Sequence, residues 1–108
     1  MSAKPHEGFC KAMNRETVGH VSRLLAAMAN PKRLMVCIKL LEDEKTVGEL
    51  AKVVGLSSAA LSQHLGKMRA ASLLSARRDG RTIHYRLAGG DIRKLLKTLD
   101  RIYGASGK

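Results

Sequence analysis

Apolar residues recur at three- and four-residue intervals along most of the chain, and each change of phase marks a new element. Val18, Val21, Leu25 and Met28 fall on one face of a helix over residues 15 to 29. Asn30 followed by Pro31 starts a second helix, because Asn caps free amides and Pro tolerates the first helical turn. Its apolar face is read as Leu34, Met35, Ile38 and Leu41, and it ends near Leu41, before the charged turn Glu42 to Lys45. Thr46 caps a third helix with Glu49 in the capping-box position, Val47, Leu50, Val53 and Val54 facing inward and Gly55 stopping it. Ser57 or Ser58 caps a fourth, lined by Leu61, Leu65 and Met68 and ending near Ala71. A short turn joins the third and fourth helices, which is the form of a helix-turn-helix.

The period then shortens to two. Ile83, Tyr85 and Leu87 alternate with Thr82, His84 and Arg86, and Asp79-Gly80 between two extended segments predicts a two-residue hairpin turn. Asp91 begins a last helix with a stripe of Ile92, Leu95, Leu96, Leu99 and Ile102 that runs to Tyr103, where Gly104 breaks it. The expected organisation is an arm over residues 1–14, one domain over 15–104 and a frayed end over 105–108. The fold class is mainly α with a small β-hairpin wing, a winged helix-turn-helix. The last helix has more apolar surface than one small core needs. The surplus, with the face of the first helix, is assigned to a homodimer joined through the first and last helices.

Charge adds a partner class. Lys and Arg total 20 against 9 acidic residues, a formal charge of +11 over 108 residues, and such an excess favours a polyanion through counterion release. Nucleic acid comes first and an anionic membrane surface second. No stretch approaches the length of a membrane span, and MSAKPHEGF has no apolar segment of the signal-peptide kind, so the expectation is cytoplasmic with reduced thiols. No nucleophile, base and orienting group recur at useful spacing, and Gly89-Gly90 precedes a helix rather than forming a phosphate loop. No enzyme and no cofactor are therefore expected.

With the element order in hand, AMANPKRL, VGELAKVVGLS, ALSQHLGKMR and RRDGRTIHYRL resemble, in the same order and spacing, the motifs of the ArsR/SmtB family of bacterial repressors. The resemblance is strongest to the nodulation-repressor and the thiol- or persulfide-responsive subgroups. It implies a dimer bound to a double-stranded DNA operator and released by an inducing signal. It implies no metal site here. Where the family's cysteine pair would fall the chain reads Glu49, Leu50, Ala51, and Asp91 is followed two positions later by Arg93 rather than His.

The candidate DNA-binding residues are Ser57, Ser58, Ser62, Gln63, His64 and Lys67 on the fourth helix and Arg77, Arg78 and Arg81 on the wing. Short hydroxyl and amide side chains reach base edges, and cations meet phosphate. Gln63 is the leading base reader. His64 is expected to brace the helix or meet phosphate. The redox candidates are Cys37, where the thiol-responsive subgroup has a reactive cysteine, and Cys10 in the arm, with a small oxidant or reactive sulfur species as inducer. The opposing reading makes Cys37 a small buried apolar side chain and the protein a repressor with no thiol or metal switch. A protein-binding winged-helix module is the remaining rival, and it would lack a steep salt response to duplex DNA.

Overall fold

The computed structural model describes residues 13–104. Residues 1–12, with Cys10 and most of the expected arm, and 105–108 lie outside the described residues. Helix α1 (Arg15–Met28) starts where Asn14 accepts a hydrogen bond from the Thr17 amide at 2.8 Å. Helix α2 (Pro31–Leu40) starts at the Asn30-Pro31 signal, with the Asn30 carboxamide accepting from the Lys32 and Arg33 amides. Helix α3 (Val47–Val54) has the full Thr46/Glu49 capping box and ends at Gly55 with φ +71°, a left-handed turn that glycine adopts without steric cost. Ser57 caps helix α4 (Ser58–Ala70) by accepting from the Ala60 amide at 3.1 Å, which decides between the two serines.

Strands β2 (Leu74–Asp79) and β3 (Thr82–Leu87) form the hairpin, and helix α5 (Gly90–Tyr103) closes the chain. Three details differ from the sequence expectation. Asp79 pairs with Thr82, so the turn residues are Gly80 and Arg81 rather than Asp79 and Gly80. Gly80 has φ +66° and Arg81 does not enter the left-handed region, the φ pattern of a type II′ turn with glycine first. The second difference is a two-residue strand, β1 (Lys45–Thr46), in the segment read as a charged turn. It pairs antiparallel with β3, placing Thr46 opposite His84 and giving the sheet order β1-β3-β2. The last helix starts one residue early, at Gly90, without a side-chain cap. Asp91 lies in its first turn, where a carboxylate complements the helix dipole.

The core is one cluster at the junction of all five helices and the sheet. Leu50 and Val54 of α3, Leu61, Leu65 and Met68 of α4, Tyr85 and Leu87 of β3, and Ile92 and Leu96 of α5 are buried in it, as their spacing implies. Helix α2 departs from its expected face. Val36, Cys37 and Leu40 are the buried set, Ile38 and Leu41 are partly buried, and Leu34 and Met35 are exposed. The run Leu34 to Leu41 is apolar on nearly every side, so its periodicity does not select which side meets the core.

Candidate nucleic-acid interface

Leu61, Leu65 and Met68 pin α4 to the core, and the opposite face is open. Ser58, Ser62, Gln63 and Lys67 are all exposed on it, and residues 58–70 contain no Asp or Glu. Ala59, Ala60 and Gly66 keep the backbone of this face accessible between the longer side chains. The face combines hydroxyls, one carboxamide and the cations Lys67 and Arg69, a set suited to hydrogen-bonding base edges and phosphates. Ser57 is exposed as well, but its hydroxyl oxygen is engaged as the cap of the helix.

His64 is placed differently from its neighbours. It is partly buried, and its Nδ1 accepts a hydrogen bond from Arg33 Nε at 2.9 Å. Arg33 lies on α2 and was not singled out by the sequence. A neighbouring lysine makes a parallel contact: Lys32 Nζ donates to the carbonyl of Val54, at the end of α3. The first turn of α2 thus holds both helices of the helix-turn-helix. Its other end is held by α5, where the Arg93 guanidinium donates to the Leu40 and Leu41 carbonyls. The residue standing where the resemblance would put a metal-binding histidine is therefore a cap for α2.

On the wing, the three arginines have separate fates. Arg77 forms a two-pronged pair with Glu44, with Nη2 to Oε1 at 2.8 Å and Nε to the same carboxylate at 3.1 Å. The guanidinium holds the Glu44 carboxyl below its ordinary range. Arg78 and Arg81 are exposed and have no acidic partner among the described residues. The wing presents two free cations at its tip and one neutralised nearer the sheet.

Cys37 is fully buried on α2, and burial pushes its thiol up to about 11. At neutral pH it is a protonated side chain packed among hydrocarbon, without the thiolate and the access that reaction with an oxidant requires. Among the described residues, no helix is long and apolar enough to cross a membrane.

Apolar side chains remain uncovered elsewhere. Val18 and Leu25 on α1 are each 46 % exposed, and Ile102 and Tyr103 on α5 are 56 % and 77 % exposed. They lie on the two helices that the sequence assigned to a contact between copies.

Residues 30–76 match the family model described as the bacterial regulatory protein, arsR family. The nodulation protein NolR of Rhizobium meliloti is 52 % identical over 80 residues, which cover 74 % of this chain and 66 % of that protein, just under two thirds of its length. The transcriptional activator HlyU of Vibrio cholerae is 40 % identical over 80 residues, covering 74 % of each chain. The solved structure of HlyU superposes with a TM-score of 0.80 at 36 % identity, covering 83 % of this chain and 98 % of that one. A homodimeric winged helix-turn-helix DNA-binding domain from Mycobacterium bovis superposes with a TM-score of 0.77 at 28 % identity, covering 83 % of each. With its helix-turn-helix, hairpin wing and these likenesses, the chain belongs to the ArsR family and is a winged helix-turn-helix, DNA-binding transcriptional regulator.

Proposed function

We propose that the protein represses transcription as a homodimer joined through α1 and α5, bound to an imperfect palindrome with one α4 in each of two successive major grooves. Gln63 reads a base edge, Ser58, Ser62 and Lys67 contact bases or phosphates beside it, and Arg78 and Arg81 grip the flanking backbone. The observation that carries this reading is the acid-free, exposed polar face of α4 in a domain whose wing carries two unneutralised arginines. The uncovered apolar residues of α1 and α5, and the homodimer of the related M. bovis domain, support the twofold arrangement. Such a regulator works in the cytoplasm, where the DNA is.

The burial of Cys37 favours the version of this function with no thiol switch at that residue. On this reading, an inducer acting on the folded protein engages some other feature than the Cys37 sulfur.

The test is binding of the full chain to the DNA upstream of its own gene and to a random duplex, across a series of salt concentrations. Several phosphate contacts give a steep loss of affinity with salt, and protection extends over two half-sites about 34 Å apart. A flat salt response, or protection of a single half-site, would overturn the proposal.

A further inference from the structure

The contact between Arg33 and His64 lies at a basic concavity that the periodicity of the chain does not reveal. An arginine N–H needs a lone pair to donate to, so Nδ1 of His64 is unprotonated and the ring proton sits on Nε2. Only one of the three guanidinium nitrogens of Arg33 is used in this bond, and no carboxylate among the described residues pairs with it. Its terminal nitrogens keep their N–H donors. Arg33, Gln63, His64 and Lys67 line an open concavity of about 450 Å³ with Ala59 and Ala60, beside the exposed face of α4. No acidic residue is among them. Two cations and no carboxylate therefore border this space, which suits a phosphodiester oxygen pair.

We propose that this concavity seats a backbone phosphate of the bound duplex, that Arg33 is the residue contacting it, and that His64 is a positioning residue that fixes the Arg33 fork. The inference rests on the function proposed above and extends it, because it adds a backbone contact from outside the helix-turn-helix and makes His64 a brace for that contact. A guanidinium steered through its Nε presents both terminal nitrogens edge-on, the geometry that phosphate oxygens accept in pairs. Lys67, one turn after His64 on α4, adds a second positive charge to the lining.

The experiment measures fluorescence anisotropy of a labelled random-sequence duplex and of the labelled upstream DNA, with the full chain and its variants over a range of salt. Arg33→Ala is expected to weaken both duplexes together, leaving their ratio unchanged, since a phosphate contact positions without specifying. The slope of log affinity against log salt falls by about 0.9 for each lost contact, or roughly 2 for a dimer. Arg33→Lys keeps the slope and loses part of the affinity, because a point charge replaces the fork. His64→Ala costs about 2- to 5-fold on both duplexes, in the range of one hydrogen bond to a charged group through a partly exposed site. His64→Asn, whose amide oxygen takes the place of Nδ1, recovers much of that loss. In an Arg33→Ala background, His64→Ala costs nothing further, because the two act as one unit.

Should Arg33→Ala lower the melting temperature, the Arg33→Lys and His64 variants are compared at matched folded fraction. Wild-type slope in Arg33→Ala, or His64→Asn no better than His64→Ala, overturns the inference while leaving the parent function intact. Absence of any salt-dependent duplex binding by the wild-type chain overturns both.

Discussion

The outward face of α4 and the outward faces of α1 and α5 are both exposed, yet they are built from opposite materials. Ser58, Ser62, Gln63 and Lys67 leave α4 polar and free of acids, whereas Val18, Leu25, Leu95, Ile102 and Tyr103 leave the terminal helices apolar. Water solvates the first set readily. The second set loses about 25 cal/mol for each Å² of apolar surface left wet, so it is stabilised by contact with another apolar surface. On the proposed function, the difference separates two kinds of partner on one small domain: a polyanion for α4 and the wing, and a second copy of the chain for the terminal helices.

The strongest way to break this division is to charge the apolar faces. Leu95→Asp with Ile102→Asp is expected to give monomers by sedimentation velocity and to cut affinity for the upstream duplex by about 100-fold or more, since two linked half-sites gain that much from avidity. A double variant that sediments and binds like the wild type would remove the second copy from the account.

The next prediction concerns the core lying behind both faces. Because burial holds the Cys37 thiol up to about 11 from an ordinary value near 9, the folded chain keeps its proton over a range where the unfolded chain has lost it. The unfolded state is therefore favoured as pH rises from about 9 to about 11, and the folded state loses about 2–3 kcal/mol from this group alone. Denaturant titrations of wild type and Cys37→Ala should differ in pH dependence over that range, with the variant lacking this part of the alkaline decline. Equal pH dependence in the two would show a thiol more accessible than its burial implies.

A smaller effect sharpens the polar side. Gln63→Ala should cost about 1–3 kcal/mol on the upstream duplex and leave the random duplex unchanged, which would locate base reading on α4. Equal losses on both would make Gln63 a backbone contact. Smallest of all, Glu44→Gln releases Arg77 to the solvent. Tighter binding of every duplex by up to about fivefold is expected, the scale of one exposed ion pair, together with a steeper salt slope. Unchanged affinity would leave Arg77 a structural tie between the wing and the segment before β1.

How much of this was legible in the sequence depends on how local each cause is. The caps at Asn30 and Thr46 were readable because a side chain bonds an amide two or three residues away. The buried side of α4 was readable because Leu61, Leu65 and Met68 stand alone among polar residues. In α2 the same reasoning found the helix and missed its face, since apolar residues surround it and only distant partners such as Leu50, Leu61 and Leu96 decide which side is covered. The wing was displaced by one residue because the Asp-Gly pair suits a turn with both central residues left-handed, while this hairpin uses only Gly80 that way. Strand β1 has two residues and exists through its pairing with β3, which no window of local sequence contains.

The candidate interface followed the same rule. The exposed residues of α4 and the tip of the wing emerged from spacing and charge. Arg33 did not, because its contact with His64 spans 31 positions and Arg33 sits in a motif already explained by the Asn30 cap. Nor did the pairing of Arg77 with Glu44 across 33 positions, which sets that arginine apart from Arg78 and Arg81.

Helix α2 is ten residues long, about 15 Å from end to end, and it is bolted at both ends by cationic side chains: Lys32 and Arg33 to the paired helices in front, Arg93 to the closing helix behind. It works as a strut. In the proposed dimer, a tilt of α5 in the seam between two subunits would be carried along that strut to the angle of α4, so the spacing between the two reading heads would be set far from the DNA.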